Sequence, residues 1–141
     1  LAEAFRRTTQ NRPIFEVDPV AAFNVVTLRA EYAIRGEVHH GEGVEWTVVY
    51  DENDVGLADP AYLRTLFVRE INNIFEIAKY CSLNTQTAGL AVGDRRTALA
   101  EVLTKNGVER CPAVGNMMIY DTPWDGMIPM ERMVRWTSMR S

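Results

Sequence analysis

From Arg64 onward the chain alternates short, almost wholly apolar runs with segments of helical period, and that alternation constrains the fold more than any other feature. Leu66-Phe67-Val68 is the first apolar run. Asn72 or Asn73 then stands where a helix cap belongs, ahead of Ile74, Phe75, Ile77, Ala78, Cys81 and Ser82. Thr87 to Val92 (TAGLAV) is the second run. Gly93-Asp94 opens a further helix with Leu99, Val102 and Leu103 on one face, and Gly107 closes it. Val108 to Val114, bearing Cys111, is the third run. Strand–helix–strand–helix–strand at this spacing makes two successive βαβ units. Their product is a parallel sheet with flanking helices and right-handed crossovers, so the expected fold class is α/β.

The first half is less regular. Asp18 and Pro19 suit the cap and first position of a helix that runs to Arg35, with Gly36 placed to end it. Phe23, Val26, Ala30, Ala33 and Ile34 recur at helical spacing and are expected to face the core. Val38 to Gly43 reads as a polar turn, Val44 to Tyr50 (VEWTVVY) as a strand, and Asp51 to Pro60 as a surface connection. The expected organisation is one domain or domain fragment. Residues 1–63 form a helix-plus-strand region, and residues 64–141 form the βαβαβ unit with a C-terminal loop and short helix.

Composition enters mainly as exclusion. Nineteen acidic against fifteen basic residues give a net charge of −4, which offers no basic footprint for nucleic acid. No run of about 18 apolar residues is present to span a membrane. Two cysteines cannot build a disulfide scaffold, so a reducing cytoplasm is the expected compartment. The chain begins at Leu1 without an initiator Met, which reads as a piece of something longer.

Chemistry is sparse. The strand–helix junctions Glu70-Ile71-Asn72-Asn73 and Val92-Gly93-Asp94 match neither GxGxxG nor a phosphate-loop motif. Cys81 and Cys111 fall in apolar settings rather than at electropositive, partly exposed sites, and are expected to be small core residues. His39 and His40 are adjacent with no third ligand spaced nearby, so no metal site is expected. The serine-hydrolase elbow GxSxG is absent. All six methionines lie from Met117 onward, interleaved with Trp124 and Trp136. Such side chains make an adaptable apolar surface, which packs on the domain, receives a protein partner or lines a channel for a flexible acyl chain. The loop from Gly115 to Pro129 is long enough to carry function, with Trp124-Asp125-Gly126 as its turn.

The order of several segments resembles the C-terminal part of the LuxC-type acyl-CoA reductases, a fatty acid reductase family within the aldehyde dehydrogenase superfamily. The carrying segments are EWTVVYD (45–51), RTLFVRE (64–70), NTQTAGLA (84–91), GVERCPAVGNMM (107–118) and DGMIPMERMVRW (125–136). Together they cover roughly residues 15 to 137 in order. The resemblance implies the C-terminal part of an aldehyde dehydrogenase-like catalytic domain, and reduction of a long-chain acyl thioester to an aldehyde with NADPH. In the family the nucleophilic cysteine and the main cofactor site lie earlier in the chain, and neither Cys81 nor Cys111 matches that cysteine's surroundings. The strand matched by Leu66-Phe67-Val68 approaches the cofactor ribose in the wider superfamily, with a glutamate where this chain has Thr65. Thr65 and Phe67 are therefore the implied cofactor-side residues. Trp124, Asp125, Gly126 and Met127, near the substrate entrance in such folds, are the implied substrate contacts. The implied partners are the rest of the reductase chain or a companion subunit and the acyl-CoA substrate. Separately, parallel strands such as TAGLAV are normally buried on both faces, so a domain fragment carrying them is expected to self-associate as an oligomer or bind a larger partner. The chain alone is expected to be inactive. A reading from a different class is a non-catalytic α/β module that binds a protein through its Met-rich tail.

Overall fold

The computed structural model describes residues 1–52, 57–58, 61–120, 122–123, 126–135 and 137–139. The fold is α/β, with a small mixed sheet and flanking helices. It divides into two compact units, Leu1–Glu70 and Ile71–Ser141.

The first unit contains helices α1 (Ala2–Asn11) and α2 (Pro19–Arg35) and strands β1 (Glu37–His40), β2 (Thr47–Tyr50) and β3 (Thr65–Val68). The start of α2 follows from its first two residues. Pro19 needs no backbone N–H there, and the Asp18 carboxylate accepts from the backbone N–H groups of Val20 (3.3 Å) and Ala21 (3.1 Å). Gly36 ends the helix as expected, but with φ at −155°, in extended backbone rather than the left-handed turn common at such ends. Its glycine answers a close approach instead, since a Cβ there would lie 2.4 Å from the carbonyl oxygen of Tyr50.

The buried residues of α2 are Ala21, Val25 and Tyr32. The expected core face is the wrong one: Phe23, Val26, Ala30, Ala33 and Ile34 are all exposed. The helix is apolar on two sides, and periodicity cannot choose between them. Polar anchoring fixes the choice. Arg29 donates from Nε to the hydroxyl of Thr47 (2.9 Å) and from Nη2 to the carbonyls of Gly43 (2.9 Å) and Trp46 (3.1 Å). Tyr32 meets the Phe67 ring of β3 at 5.6 Å.

The strand order is β1-β2-β3, with β1 antiparallel to β2 and β3 parallel to it. The pairing starts at Glu37 with Tyr50 on one side and at Thr47 with Thr65 on the other. Residues 38–40, expected as part of a turn, are therefore strand. The sheet is mixed because β1 and β2 are joined closely enough to fold back as a hairpin. Trp46, Thr47, Val48 and Val49 are buried at its centre, and Phe5 of α1 stacks on Trp46 at 5.9 Å.

The second unit has a 3-10 helix (Ile74–Tyr80), then α3 (Arg96–Lys105) and α4 (Pro129–Met133). Asn73 caps the 3-10 helix by accepting from the N–H of Phe75 at 3.1 Å. Ala78, Leu90, Leu99, Leu103 and Val108 form the core, with Cys81 and Cys111 packed against it. The TAGLAV and VERCPAV runs do pair in parallel, but only through single bridges, Thr87 to Arg110 and Leu90 to Ala113. Pro112 shortens the ladder, since it can accept from Leu90 N–H (2.8 Å) but has no N–H to return. Gly107 closes α3 with φ at +98°, the left-handed region, while Val108 N–H reaches back to Leu103 at 3.2 Å.

Candidate functional site

Arg110 anchors the start of the segment that carries the methionines. It donates from Nη1 to the carbonyl of Met117 (3.3 Å) and from Nη2 to that of Ile119 (2.8 Å), fixing the backbone where the loop leaves the core. Gly89 makes room for the Met117 side chain, because a Cβ there would lie 2.5 Å from its Sδ. Beyond this point the apolar side chains turn outward: Met118, Tyr120, Met130 and Met133 are strongly exposed. Of the four expected substrate contacts, Trp124 and Asp125 lie outside the described residues. Gly126 sits at φ +63° beside the carboxylate of Glu109, and Met127 is exposed. Arg110 was not singled out from sequence. Its position beside Cys111 in an apolar run gives no hint that it reaches seven and nine residues ahead.

The expected cofactor-side residues are otherwise engaged. Thr65 donates its hydroxyl to the carbonyl of Tyr62 at 2.7 Å. Phe67 packs against Tyr32 and under the Arg69 guanidinium, 5.7 Å from its ring. A threonine with its hydroxyl already committed is no substitute for a ribose-binding carboxylate, and no glycine turn for a pyrophosphate accompanies it. These residues do not by themselves fit a nicotinamide cofactor.

Both cysteines are free and half-buried. The Cys81 thiol lies 3.6 Å from the carbonyl of Ile77. Desolvation pushes both thiols above the ordinary cysteine range. For Cys111 the neighbouring Cys81 adds to the rise, and Arg96 opposes it. A raised pKa leaves less thiolate at neutral pH, the opposite of an activated nucleophile. Both thiols are therefore expected to react with iodoacetamide at pH 7.5 about tenfold more slowly in the folded protein than in urea. Native-state alkylation as fast as in urea, followed by peptide mass spectrometry, would show that either one is activated.

The histidines are local in their contacts. His39 Nε2 lies 3.5 Å from the Glu37 carboxylate, and His40 Nδ1 lies 2.6 Å from the carbonyl of Gly41. No metal-type cluster of His, Cys, Asp and Glu occurs among the described residues. A cleft of about 530 Å³ in the first unit is lined by Arg6, Thr9, Gln10, His40, Gly41, Glu42, Glu45 and Trp46. It mixes acids and bases and has no thiol, and its one hydroxyl, on Thr9, accepts from Arg64 Nη1 at 3.3 Å. Three of its eight lining residues come from α1, about 30 positions before the others, so spacing along the sequence could not have assembled it.

Among the described residues, no helix is long and apolar enough to cross a membrane. No curated protein matches the chain. The model of one protein family, described as acyl-CoA reductase (LuxC), matches residues 1–136. A match over residues 1–136 of 141 decides the family. The chain belongs to the LuxC acyl-CoA reductase family.

Proposed function

We propose that this chain forms the C-terminal part of an aldehyde dehydrogenase-like catalytic domain that reduces long-chain acyl-CoA to the aldehyde with NADPH. The observation that carries the reading is the family match over residues 1–136. In this reading the acyl carbon gains two electrons, the thioester C–S bond breaks and CoA leaves as the thiol. The acyl group passes through a cysteine acyl-enzyme, which splits one hard substitution into two easier steps. That cysteine is neither Cys81 nor Cys111. The cysteine and the main cofactor site belong to residues outside this chain, consistent with the engaged Thr65 hydroxyl and the packed Phe67 ring.

The chain's own contribution is a wall for the acyl group. In this reading Trp124, Asp125, Gly126 and Met127 contact the substrate, and Arg110 holds the backbone at Met117 and Ile119 ahead of them. Thioether and aromatic side chains suit an alkyl chain of variable length because they repack cheaply. The free thiols suit the reducing cytoplasm.

Exposure of Met118, Met130, Met133 and Met139 favours one other reading, a non-catalytic module that binds a protein partner through this tail. One assay separates the two. The chain alone should oxidise no NADPH in the presence of a long-chain acyl-CoA. Mixed with the cysteine- and cofactor-bearing part of a LuxC-type reductase, it should restore aldehyde formation, and Met127→Glu should weaken that restoration. Absence of aldehyde from the mixture, with both proteins folded, would leave the binding module as the answer.

A further inference from the structure

Every residue from Val114 to Tyr120 is exposed, and so is every residue from Gly126 to Arg135. Apolar burial is therefore not what places this segment, although Met117, Met118, Ile119 and Tyr120 stand in a row. Polar contacts from a firmer base do so instead. Glu109 and Arg110 both donate their backbone N–H to the carbonyl of Gln86, at 3.1 and 3.0 Å, and the Arg110 carbonyl accepts from Ala88 at 2.8 Å. These bonds pin the two residues to the run that carries Leu90 of the core.

From that base the Arg110 guanidinium bridges run and segment. Besides the carbonyls of Met117 and Ile119, it reaches the Thr87 hydroxyl from Nη1 at 3.5 Å. Gly89, two residues along the same run, leaves the space that the Met117 thioether fills. Met117 is thus held by its carbonyl and by its side chain. At the other end of the segment the neighbour of Arg110 makes the contact. The Glu109 carboxylate lies against Gly126, where a Cβ would come within 3.2 Å of its Oε1.

We propose that Arg110 is a positioning residue that sets how the reductase grades acyl-CoA substrates by chain length. The inference rests on the reading above, in which Met127 and its neighbours contact the acyl group. Met118, Ile119 and Tyr120 form a wall only while the backbone beneath them is fixed, and the arginine fork is what fixes it. An alkyl chain gains contact in proportion to the length lying on such a wall, so loosening it penalises long substrates more than short ones. The contact is shared by ground state and transition state, so its loss falls on KM rather than kcat. Lysine is no equal substitute, because a single ammonium on a flexible stem lacks the planar geometry that holds two carbonyls at once.

The test compares Arg110→Met and Arg110→Lys with Arg96→Met, which removes another arginine–carbonyl bond in the same unit, that to Cys111. In the chain itself, amide relaxation by NMR should show order parameters at residues 117–119 falling from about 0.85 to below about 0.6 in Arg110→Met. Those of Leu99 and Leu103 should hold, since the core is untouched. In the reductase restored by mixing, Arg110→Met should raise KM about tenfold for a long-chain acyl-CoA and less than about twofold for a short-chain one, with kcat unchanged. Arg110→Lys should recover part of the difference, and Arg96→Met should show none of it. Order at residues 117–119 that survives Arg110→Met would overturn the proposal. Equal rises for long and short chains, or a loss confined to kcat, would overturn the role in selection. A wild-type mixture that forms no aldehyde would sink the proposed function and this substrate role with it, while relaxation in the chain alone still decides whether the anchor is real.

Discussion

Replacing Leu99 by alanine should destabilise the second unit by about 2–5 kcal/mol, the usual cost of emptying a leucine site that cannot collapse. Leu99 is 1% exposed and sits with Leu103 on the inner face of α3, against Ala78, Leu90 and Val108. Its neighbours are held from several directions: the 3-10 helix is capped by Asn73, and Leu90 is tied to Pro112 and Val114 through backbone hydrogen bonds. They cannot close the gap without breaking those bonds. A unit of about 70 residues has only about 4–10 kcal/mol of stability to lose, so one side chain is a large part of the whole. Leu99→Met, which nearly conserves volume, should cost under about 1.5 kcal/mol. Hydrogen exchange of peptides from α3 across a urea series would read both. Equal midpoints for Leu99→Ala and wild type would mean the packing at this site is loose.

Gly36→Ala should cost the first unit about 2–3 kcal/mol for a reason that has nothing to do with φ. At −155° any residue is at ease, and alanine even removes freedom from the unfolded chain, worth about 0.4–1 kcal/mol in its favour. The steric term outweighs this gain. The new Cβ would stand 2.4 Å from the Tyr50 carbonyl and 3.4 Å from the Cα of Asp51, so backbone rather than a flexible side chain must move. That backbone belongs to the first register pair of the sheet, Glu37 with Tyr50. Exchange protection in residues 37–50 should fall while peptides of the second unit keep theirs. If Gly36→Ala leaves that protection intact, the close approach is not a constraint.

Much of the α/β pattern was legible because its signals are local. Asp18-Pro19, Asn73 and Gly107 act within a few residues of where they stand, and each does in the structure what its chemistry suggests. The cysteines were legible for the same reason, as thiols set in locally apolar runs. Three features were hidden. The inner face of α2 is chosen by Arg29 reaching to Thr47, 18 residues away, which no periodicity contains. The strand Glu37–His40 carries a single apolar residue, Val38, too few to show a period, and is defined by its partner. The runs around Leu90 and Ala113 read as full strands but are cut to single bridges, because apolar composition does not count the N–H that Pro112 lacks. At the site, the apolar character of the tail was legible. Its anchor, Arg110, acts on carbonyls and so leaves no mark in side-chain spacing.

The mixed sheet also sets an order in time. β1 and β2 are neighbours in the chain and can meet as a hairpin within microseconds, with only a short loop to close. β3 must cross from the far end of a longer connection and enter in parallel, so its contacts come after the entropy of that closure has been met. Thr47 stands at the junction of these two events, paired to His40 on one side and to Thr65 on the other. Its hydroxyl is also the one that Arg29 of α2 grips. The hairpin is thus expected to be the template on which α2 and the third strand converge, so a fault in β1 should slow the entry of β3.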